Sequence, residues 1–434
     1  MERPDIRDAR EVRPLLLSAT CFFLILTAYY IIRPVRDQLS GAVGSISLPL
    51  FYGATFVATL LLTPLIGWLV ARFPRRQLML WSFSFFIVCQ LAFVPAFMFQ
   101  DRIGARVLGT VFFVWGSVFN LFVVSLFWSL MADVWTSQQA RRLFPLIALG
   151  GMAGAIAGPL ITSLMVNLVG VAPLLLVSAL LLGLSMQLLL AVSAEAEQAA
   201  ATTAAAIGGS LLAGVKYVFT QPFLRYMALL MLLSDGVGTV AYALVADYAK
   251  AHYVSDAART EMYAHLDLAI NALGVLMQVS VTRWVLKRLG MAWGIVIPAL
   301  VNCALLVLVA ILGSHAEIWG VGISLVLVLQ VVVRGTQYGM LKPASDALYT
   351  RSARETRYKG KNFVETAVWR FGDLVVTSGI NLLRDAAVAL SGLAAISAGF
   401  SMIAVWVGFR AGRSVGAEAA DDGEAGQRDG TGSV

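Results

Sequence analysis

The stretch VVVRGTQYGMLKPASDALYTRSARETRYKGKNFVETAVWRFGD, residues 331–373, joins two apolar helical segments through a basic loop. Both segments carry charged side chains where a lipid bilayer is expected. A charge near the centre of a membrane helix costs roughly 2.5–3.5 kcal/mol on insertion scales, so it is kept only where it has a partner, a cavity or a task. The stretch therefore predicts both membrane helices and the position of a functional site.

The first segment carries polar groups at intervals of four residues. Arg334, Tyr338 and Lys342 would lie on one face of a helix, so we interpret them as candidate substrate contacts. Arg334 has no acidic residue at helical spacing, which makes it the first candidate. Pro343 removes a backbone donor and predicts that the helix bends or ends beside Lys342.

The second segment carries charges of both signs. Glu365 and Asp373 are candidate coupling or counter-ion groups, and Arg370 is a further candidate substrate contact. The alternative interpretation is structural, since Lys342 with Asp346, and Arg370 with Asp373, stand at helical spacing and could simply pair.

The composition excludes an ordinary soluble protein. The 434 residues are 59% hydrophobic and 13% charged, whereas soluble domains are about 25% charged. Mean hydropathy is +0.80. Apolar segments of about 20 residues recur along the chain, which predicts an all-α integral membrane protein and not a β-barrel.

Residues typical of other functions are absent or scattered. The three cysteines and three histidines lie far apart without metal-ligand spacing, so neither a metal nor another cofactor is expected, and no nucleophile arrangement indicates an enzyme. The net charge of +7 reflects basic loops of a membrane protein and does not indicate nucleic-acid binding. The expected partners are an anionic small molecule and the lipid bilayer; a monomer is compatible with the sequence.

Hydropathy predicts twelve membrane spans in two halves of six. They are 14–32, 48–71, 78–99, 107–131, 145–168, 171–192, 223–248, 264–286, 291–312, 318–341, 363–383 and 386–409. The segments on the side of the N-terminus hold 22 Lys and Arg residues and those on the other side hold 7. The positive-inside rule therefore places both termini in the cytoplasm. The expected location is the cell (inner) membrane.

These spans define the expected domains. A cytoplasmic N-terminus (1–13) and an N-terminal six-helix bundle (14–192) are followed by a cytoplasmic linker with a surface helix (193–222). A C-terminal six-helix bundle (223–409) and a disordered cytoplasmic tail (410–434) complete the chain. In the fifth span Gly150, Gly154 and Gly158 recur every four residues, which indicates close helix packing, flexing during transport being the alternative.

Two further sites carry charge in apolar surroundings. Arg33 and Arg36 follow the first predicted span, separated by Pro34, and form either an interfacial anchor or a cationic wall for an anion. Asp235 lies in the sequence SDGVG, residues 234–238, inside the seventh span. Its flanking glycines predict a discontinuous transporter helix with Asp235 as a coupling group, and a polar helix contact is the alternative.

Three motifs resemble the ATP/ADP translocase family of plastids and intracellular bacteria, which is related to the major facilitator fold. They are IIRPVRD (31–37), FWSLMADVWTSQQARRLF (127–144) and KPASDALYTRSARETRYKGKNF (342–363). The resemblance implies exchange of nucleoside triphosphates for diphosphates by alternating access. It places phosphate-binding residues at positions that match the family's motifs: Arg33, Arg36, Lys342, Lys359 and Lys361. Ser345 and Asp346 depart from the family's Arg-Glu, and Asp373 stands where a lysine is expected.

The sequence therefore predicts a secondary transporter for a phosphate-bearing organic anion, with ATP/ADP-type exchange as the leading case. Its cations would surround a central cavity that opens alternately to the two sides of the membrane. A proton-coupled transporter of a less charged solute, using Asp235 or Asp373, is the alternative. A membrane sensor or scaffold without transport is the third possibility.

Overall fold

The computed structural model describes residues 9–197, 218–313, 316–318, 323–350 and 360–430, and in these ranges twelve helices follow the order of the predicted spans. The first six are α1 Ala9–Val43, α2 Leu48–Arg72, α3 Arg75–Met98, α4 Ala105–Val134, α5 Ser137–Val169 and α6 Val171–Glu197. Ser45–Ser47 forms a 3₁₀ turn after α1, and a short helix, Gln100–Ile103, lies between α3 and α4. Three of the later helices are uninterrupted: α7 Pro222–His252, α9 Trp293–Leu312 and α12 Leu390–Gly430.

The other three helices each contain a π-turn, in which backbone bonds run from residue i to i+5. α8 comprises Asp256–Met277, the π-turn Gln278–Thr282 and Arg283–Arg288; α10 comprises Leu325–Thr336, the π-turn Gln337–Leu341 and Lys342–Tyr349. α11 comprises Lys361–Phe363, the π-turn Val364–Val368 and Trp369–Asp385. π-turns are rare and are frequent at functional sites.

Ten helices in the described ranges are long and apolar enough to cross a membrane. The two that fall outside this set are α10 and α11, which carry the charges of the 331–373 stretch. Large apolar side chains such as Leu61, Phe85, Leu164 and Ile311 are exposed, as expected for surfaces that face lipid.

The predicted boundaries of α1 and α10 differ from the structure. α1 continues through Pro34 to Val43 instead of ending at 32, and residues beyond the proline such as Val35 and Leu39 are fully buried. α10 begins at Leu325 instead of 318, because the side chain of Ser324 accepts from Val326 N and caps the helix there. The residues just before it form an antiparallel pair of strands, β1 (Glu317–Ile318) and β2 (Ile323–Ser324).

The chain ends differ as well. α12 continues to Gly430, whereas the composition predicts a disordered tail from residue 410. Most of the predicted surface helix of the linker lies outside the described residues.

The chain divides into two compact units. Unit 1 comprises Met1–Ile207 and Ala249–Asn271, and unit 2 comprises Gly208–Tyr248 and Ala272–Val434. In unit 1, α1 packs against α4, α5 and α6. In unit 2, α9 packs mainly against α12 and also against α10.

The glycine face of α5 allows the close contact with α1. A Cβ atom would lie 2.3 Å from the backbone oxygen of Ala19 if placed on Gly150, and 2.4 Å from that of Phe23 if placed on Gly154. On Gly158 it would lie 2.6 Å from Cβ of Tyr30. Real Cβ atoms do not come so close to backbone, so the glycines are required by the packing of α1.

We expect Gly154→Ala to destabilise unit 1 by about 1–3 kcal/mol, because the added methyl forces α1 and α5 apart. Gly183→Ala in α6 is the matched control, since its Cβ would meet only Ile87 Cδ1, at 4.0 Å. Thermal unfolding of the purified protein in detergent measures both. Equal effects of the two substitutions would contradict the packing role.

Candidate functional site

Unit 2 contains a buried ion pair between α7 and α10. Arg334 Nη1 donates to Asp235 Oδ1 at 2.5 Å, and both side chains are buried. Gln337 closes a triangle: its Oε1 accepts from Arg334 Nη1 at 2.8 Å, and its Nε2 donates to Asp235 Oδ1 at 3.1 Å. These additional hydrogen bonds help to offset the cost of removing both charges from water.

Glycines in α7 make room for the guanidinium group. A Cβ atom on Gly238 would lie 2.6 Å from Arg334 Cζ, and one on Gly236 would lie 3.1 Å from Val376 Cγ2. The prediction that these glycines interrupt the helix is wrong, because α7 is one continuous helix from Pro222 to His252. Because glycine has no side chain, these two positions let Arg334 and Val376 come close to α7. They do not interrupt its backbone.

Asp373 of α11 joins this group through Thr239. Thr239 Oγ1 lies 2.6 Å from Asp373 Oδ1 and 3.1 Å from the backbone oxygen of Asp235, so the hydroxyl donates to one of the two. Arg370 Nη1 is 3.7 Å from Asp373 Oδ2, and the Arg370 guanidinium lies over the Trp369 ring at 5.0 Å. Arg370 and Asp373 thus form the pair that their spacing in the sequence made possible.

We call Asp235, Arg334, Arg370 and Asp373 the unit 2 charge cluster. Two arginines and two aspartates give formal charges that sum to zero. Arg334, which local spacing left without an acidic neighbour, finds one on α7, 99 positions earlier in the chain. The cluster therefore offers hydrogen-bonding groups of both signs without a net positive charge.

A second network joins α10 to α11. Lys342 Nζ lies 3.0 Å from Asp346 Oδ1 and 2.5 Å from Glu365 Oε1. Lys361 Nζ lies 2.8 Å from Asp346 Oδ1 and 3.8 Å from Glu365 Oε1. The Lys342 side chain is 46% exposed and that of Arg334 is 10% exposed, so the two predicted contacts lie in different surroundings. This network also sums to zero charge.

The helix does not end at Pro343, one of the two predicted outcomes, because Lys342 keeps helical dihedrals and α10 continues to Tyr349. The π-turn sends the Lys342 N–H to Gln337 O, and Pro343 has no N–H to give. The carbonyls of Tyr338 and Gly339 therefore lose their usual partners. Gln278 and Thr282, on the π-turn of α8, replace them.

The replacement bonds are direct. Gln278 Nε2 donates to Tyr338 O at 3.0 Å, and Thr282 Oγ1 donates to Gly339 O at 2.6 Å. A Cβ atom on Gly339 would lie 2.9 Å from Gly274 O, so α8 and α10 are in close contact here. The main-chain oxygen of Tyr338 thus belongs to this polar contact.

Unit 1 holds a corresponding group around Arg33 and Arg36. Arg36 places Nε 2.8 Å and Nη2 2.7 Å from Asp37 Oδ1, and its guanidinium stacks 4.4 Å from the Phe113 ring centre. Arg33 Nε lies 3.5 Å from Asp267 Oδ1 of α8 and 3.9 Å from Asp37 Oδ2. Both arginines are inside α1 and not in a loop after it, which corrects the predicted position.

Sequence reasoning missed three participants. Asp267 lay within a predicted span, and the rule that an intramembrane acid marks a site would have identified it. Its Oδ2 is buried and has no hydrogen-bond partner among the described residues. Thr239 and Gln337 carry no charge, and uncharged polar residues in helices are too common to have indicated a site.

The predicted residues fall into separate groups. Arg33 and Arg36 belong to unit 1, whereas Arg334, Lys342 and Arg370 belong to unit 2. Their common cavity stays a prediction. Lys359 lies outside the described residues, and the described ranges contain no group of three or more His, Cys, Asp or Glu that could hold a metal ion.

The fold resembles that of several solved transporters. A bacterial homologue of the iron transporter ferroportin, in an inward-facing state, matches with a TM-score of 0.64 and 16% identity, over 94% of this chain and 100% of that one. The nucleoside transporter NupG matches with a TM-score of 0.63 and 14% identity, over 91% and 98%. A bacterial homologue of the human lysosomal transporter Spinster gives a TM-score of 0.58 and 14% identity, over 94% and 98%.

These likenesses establish the fold of a multi-pass membrane protein of the major facilitator type, as the sequence predicted. The sequence matches no protein-family model and no curated protein.

We expect Arg334→Gln and Asp235→Asn each to cost about 3–5 kcal/mol, because each leaves a buried charge without its partner. The double substitution should cost clearly less than the sum, since both charges are then gone. Thermal unfolding in detergent measures the stability of the wild type, the two single variants and the double variant. Lys342→Gln is the control for an exposed pair and should change stability by about 0–1 kcal/mol. Additive effects of the two buried substitutions would contradict the pairing.

Proposed function

We propose that the chain is a secondary transporter that works by alternating access and moves a solute of low net charge together with a proton. The observation that carries the proposal is the zero formal charge of the unit 2 charge cluster. A substrate with several negative charges needs cations that are not already neutralised, and here Arg334 and Arg370 each have an aspartate within 4 Å.

The buried groups have distinct roles in this proposal. Arg334, Arg370 and Tyr338 contact the solute, as does Lys342 at the more exposed network. Asp235 holds Arg334 in place, since it receives hydrogen bonds from both Arg334 and Gln337. In unit 1 the charges of Arg33 and Arg36 are similarly matched by Asp267 and Asp37.

Asp373 is the proposed proton carrier. Its cationic neighbour is 3.7 Å away, whereas Asp235 has one at 2.5 Å, so protonating Asp373 sacrifices less ionic attraction. Thr239 can accept from a protonated Asp373 or donate to an ionised one, because a hydroxyl does both. Gain and loss of this proton would change the charge of the cluster by one, which ties the cluster to a pH gradient.

Nucleotide exchange is the second candidate, and a specific feature favours it. Lys342 and Lys361 lie in the KPASDALYTRSARETRYKGKNF motif and remain 46% and 30% exposed. A phosphate group could displace Asp346 and Glu365 from these lysines. In this case uptake would require a counter-substrate on the other side of the membrane.

We expect proteoliposomes to accumulate a labelled solute of low charge when a pH step is applied. A nucleoside is the first solute to test, because the similarly folded NupG is a nucleoside transporter. Asp373→Asn should abolish accumulation driven by the pH step while leaving exchange of labelled for unlabelled solute, since an amide mimics the protonated acid. Asp385→Asn, an exposed residue of the same helix, is the matched control and should behave as wild type.

Other outcomes decide between the candidates. Uptake of ATP or ADP that needs a preloaded nucleotide and ignores the pH step would support nucleotide exchange and overturn proton coupling. Normal accumulation by Asp373→Asn would show that this residue is not the proton carrier.

A further inference from the structure

An open cleft of about 560 Å³ lies in unit 2 beside the contact of α8 with α10. Its lining residues are Gln278, Thr282, Arg283, Leu286, Lys287 and Pro343. None of them is acidic, so the formal charge of the lining is +2. The cleft is separate from the unit 2 charge cluster, with which it shares no residue.

The two cations of the cleft are available for a ligand. Arg283 and Lys287 are four residues apart on one helical turn, so their side chains are neighbours. Both are exposed, and no ion pair or hydrogen bond joins either to another described residue. They differ in this from Arg334, Lys342 and Arg370, all of which have acidic partners.

Apolar residues continue from the cleft along α8. Val279 and Leu276, one and two turns before Arg283, are 76% and 63% exposed, and Trp284 beside the cations is 57% exposed. In a membrane protein such side chains face acyl chains, and an exposed tryptophan is typical of the headgroup level. The positive-inside rule predicts that residues 283–288 lie on the cytoplasmic side. Along α8 the surface thus changes from apolar to basic. A lipid of the cytoplasmic leaflet changes from acyl chain to headgroup in the same direction.

We propose that this cleft binds the headgroup of an anionic phospholipid, whose phosphate contacts Arg283 and Lys287 and whose chains lie along Val279 and Leu276. Basic pockets at the cytoplasmic ends of membrane helices are suited to anionic headgroups. A zwitterionic lipid has the same phosphate, but its own ammonium group offsets the attraction. The bound headgroup would touch Gln278 and Thr282, which hold the carbonyls freed by the π-turn and Pro343, and so would stabilise this contact of α8 with α10.

The test uses the full chain, purified and delipidated in detergent, with phosphatidylglycerol or phosphatidylcholine added back. Native mass spectrometry measures bound lipid and thermal unfolding measures stabilisation. We expect tighter binding of phosphatidylglycerol, and a loss of roughly ten- to thirtyfold in its affinity in the double variant Arg283→Gln, Lys287→Gln. Arg288→Gln is the matched control, because Arg288 is exposed on the same segment but does not line the cleft.

Several results would overturn the proposal. Equal binding of the two lipids would remove the anionic preference, and an equal loss in Arg288→Gln would indicate a general surface charge. Inorganic phosphate or glycerol phosphate that stabilises the protein as well as the lipid does would identify a soluble anion as the ligand. If the double variant fails to fold, lipid binding by the wild type still tests the proposal. Its preference for phosphatidylglycerol should weaken as the salt concentration rises.

Discussion

A charged side chain within an apolar helix needs a partner of opposite charge, and this requirement organises the interior of both units. The attraction between Arg334 and Asp235 acts in surroundings of low dielectric constant, where an unpaired charge would be costly. The same solution recurs where Arg33 meets Asp267 and where Lys342 meets Glu365. For Arg334 and Arg33 the acid comes from a helix distant in sequence, whereas for Lys342 it comes from the next helix, α11.

Other local features follow from these contacts. Gly238 is needed because the guanidinium of Arg334 lies directly against the backbone of α7. The π-turn of α10 precedes Pro343, and the two carbonyls that lose their partners are bonded by Gln278 and Thr282 of α8. A helix that carries a π-turn and a proline keeps fewer of its own hydrogen bonds, so its shape depends on its neighbour. In the proposed transport cycle, these are the places where the helices would change conformation at low cost.

Charge balance also underlies the proposed preference for a solute of low charge. A cluster with equal numbers of cations and anions presents directed hydrogen bonds without a strong net field, which suits a solute of low charge. In the proposed mechanism, gain of one proton would break this balance and give the cluster a charge that differs between the two sides of a pH gradient. Arg283 and Lys287 lie elsewhere, at the end of α8, in a cleft that shares no residue with the buried cluster.

The sequence by itself determined that this is a membrane protein and what the number and order of its helices are. It also showed charged residues in apolar segments that require a partner or a function, because hydropathy and the cost of a buried charge act locally. It also indicated the pairs at helical spacing, Lys342 with Asp346 and Arg370 with Asp373. Only the tertiary structure decided that Asp235 holds Arg334, that Asp267 meets Arg33, and that α7 and α10 continue through residues that usually break helices. Those outcomes depend on side chains and backbone groups brought together from distant parts of the chain, and no local spacing contains that information.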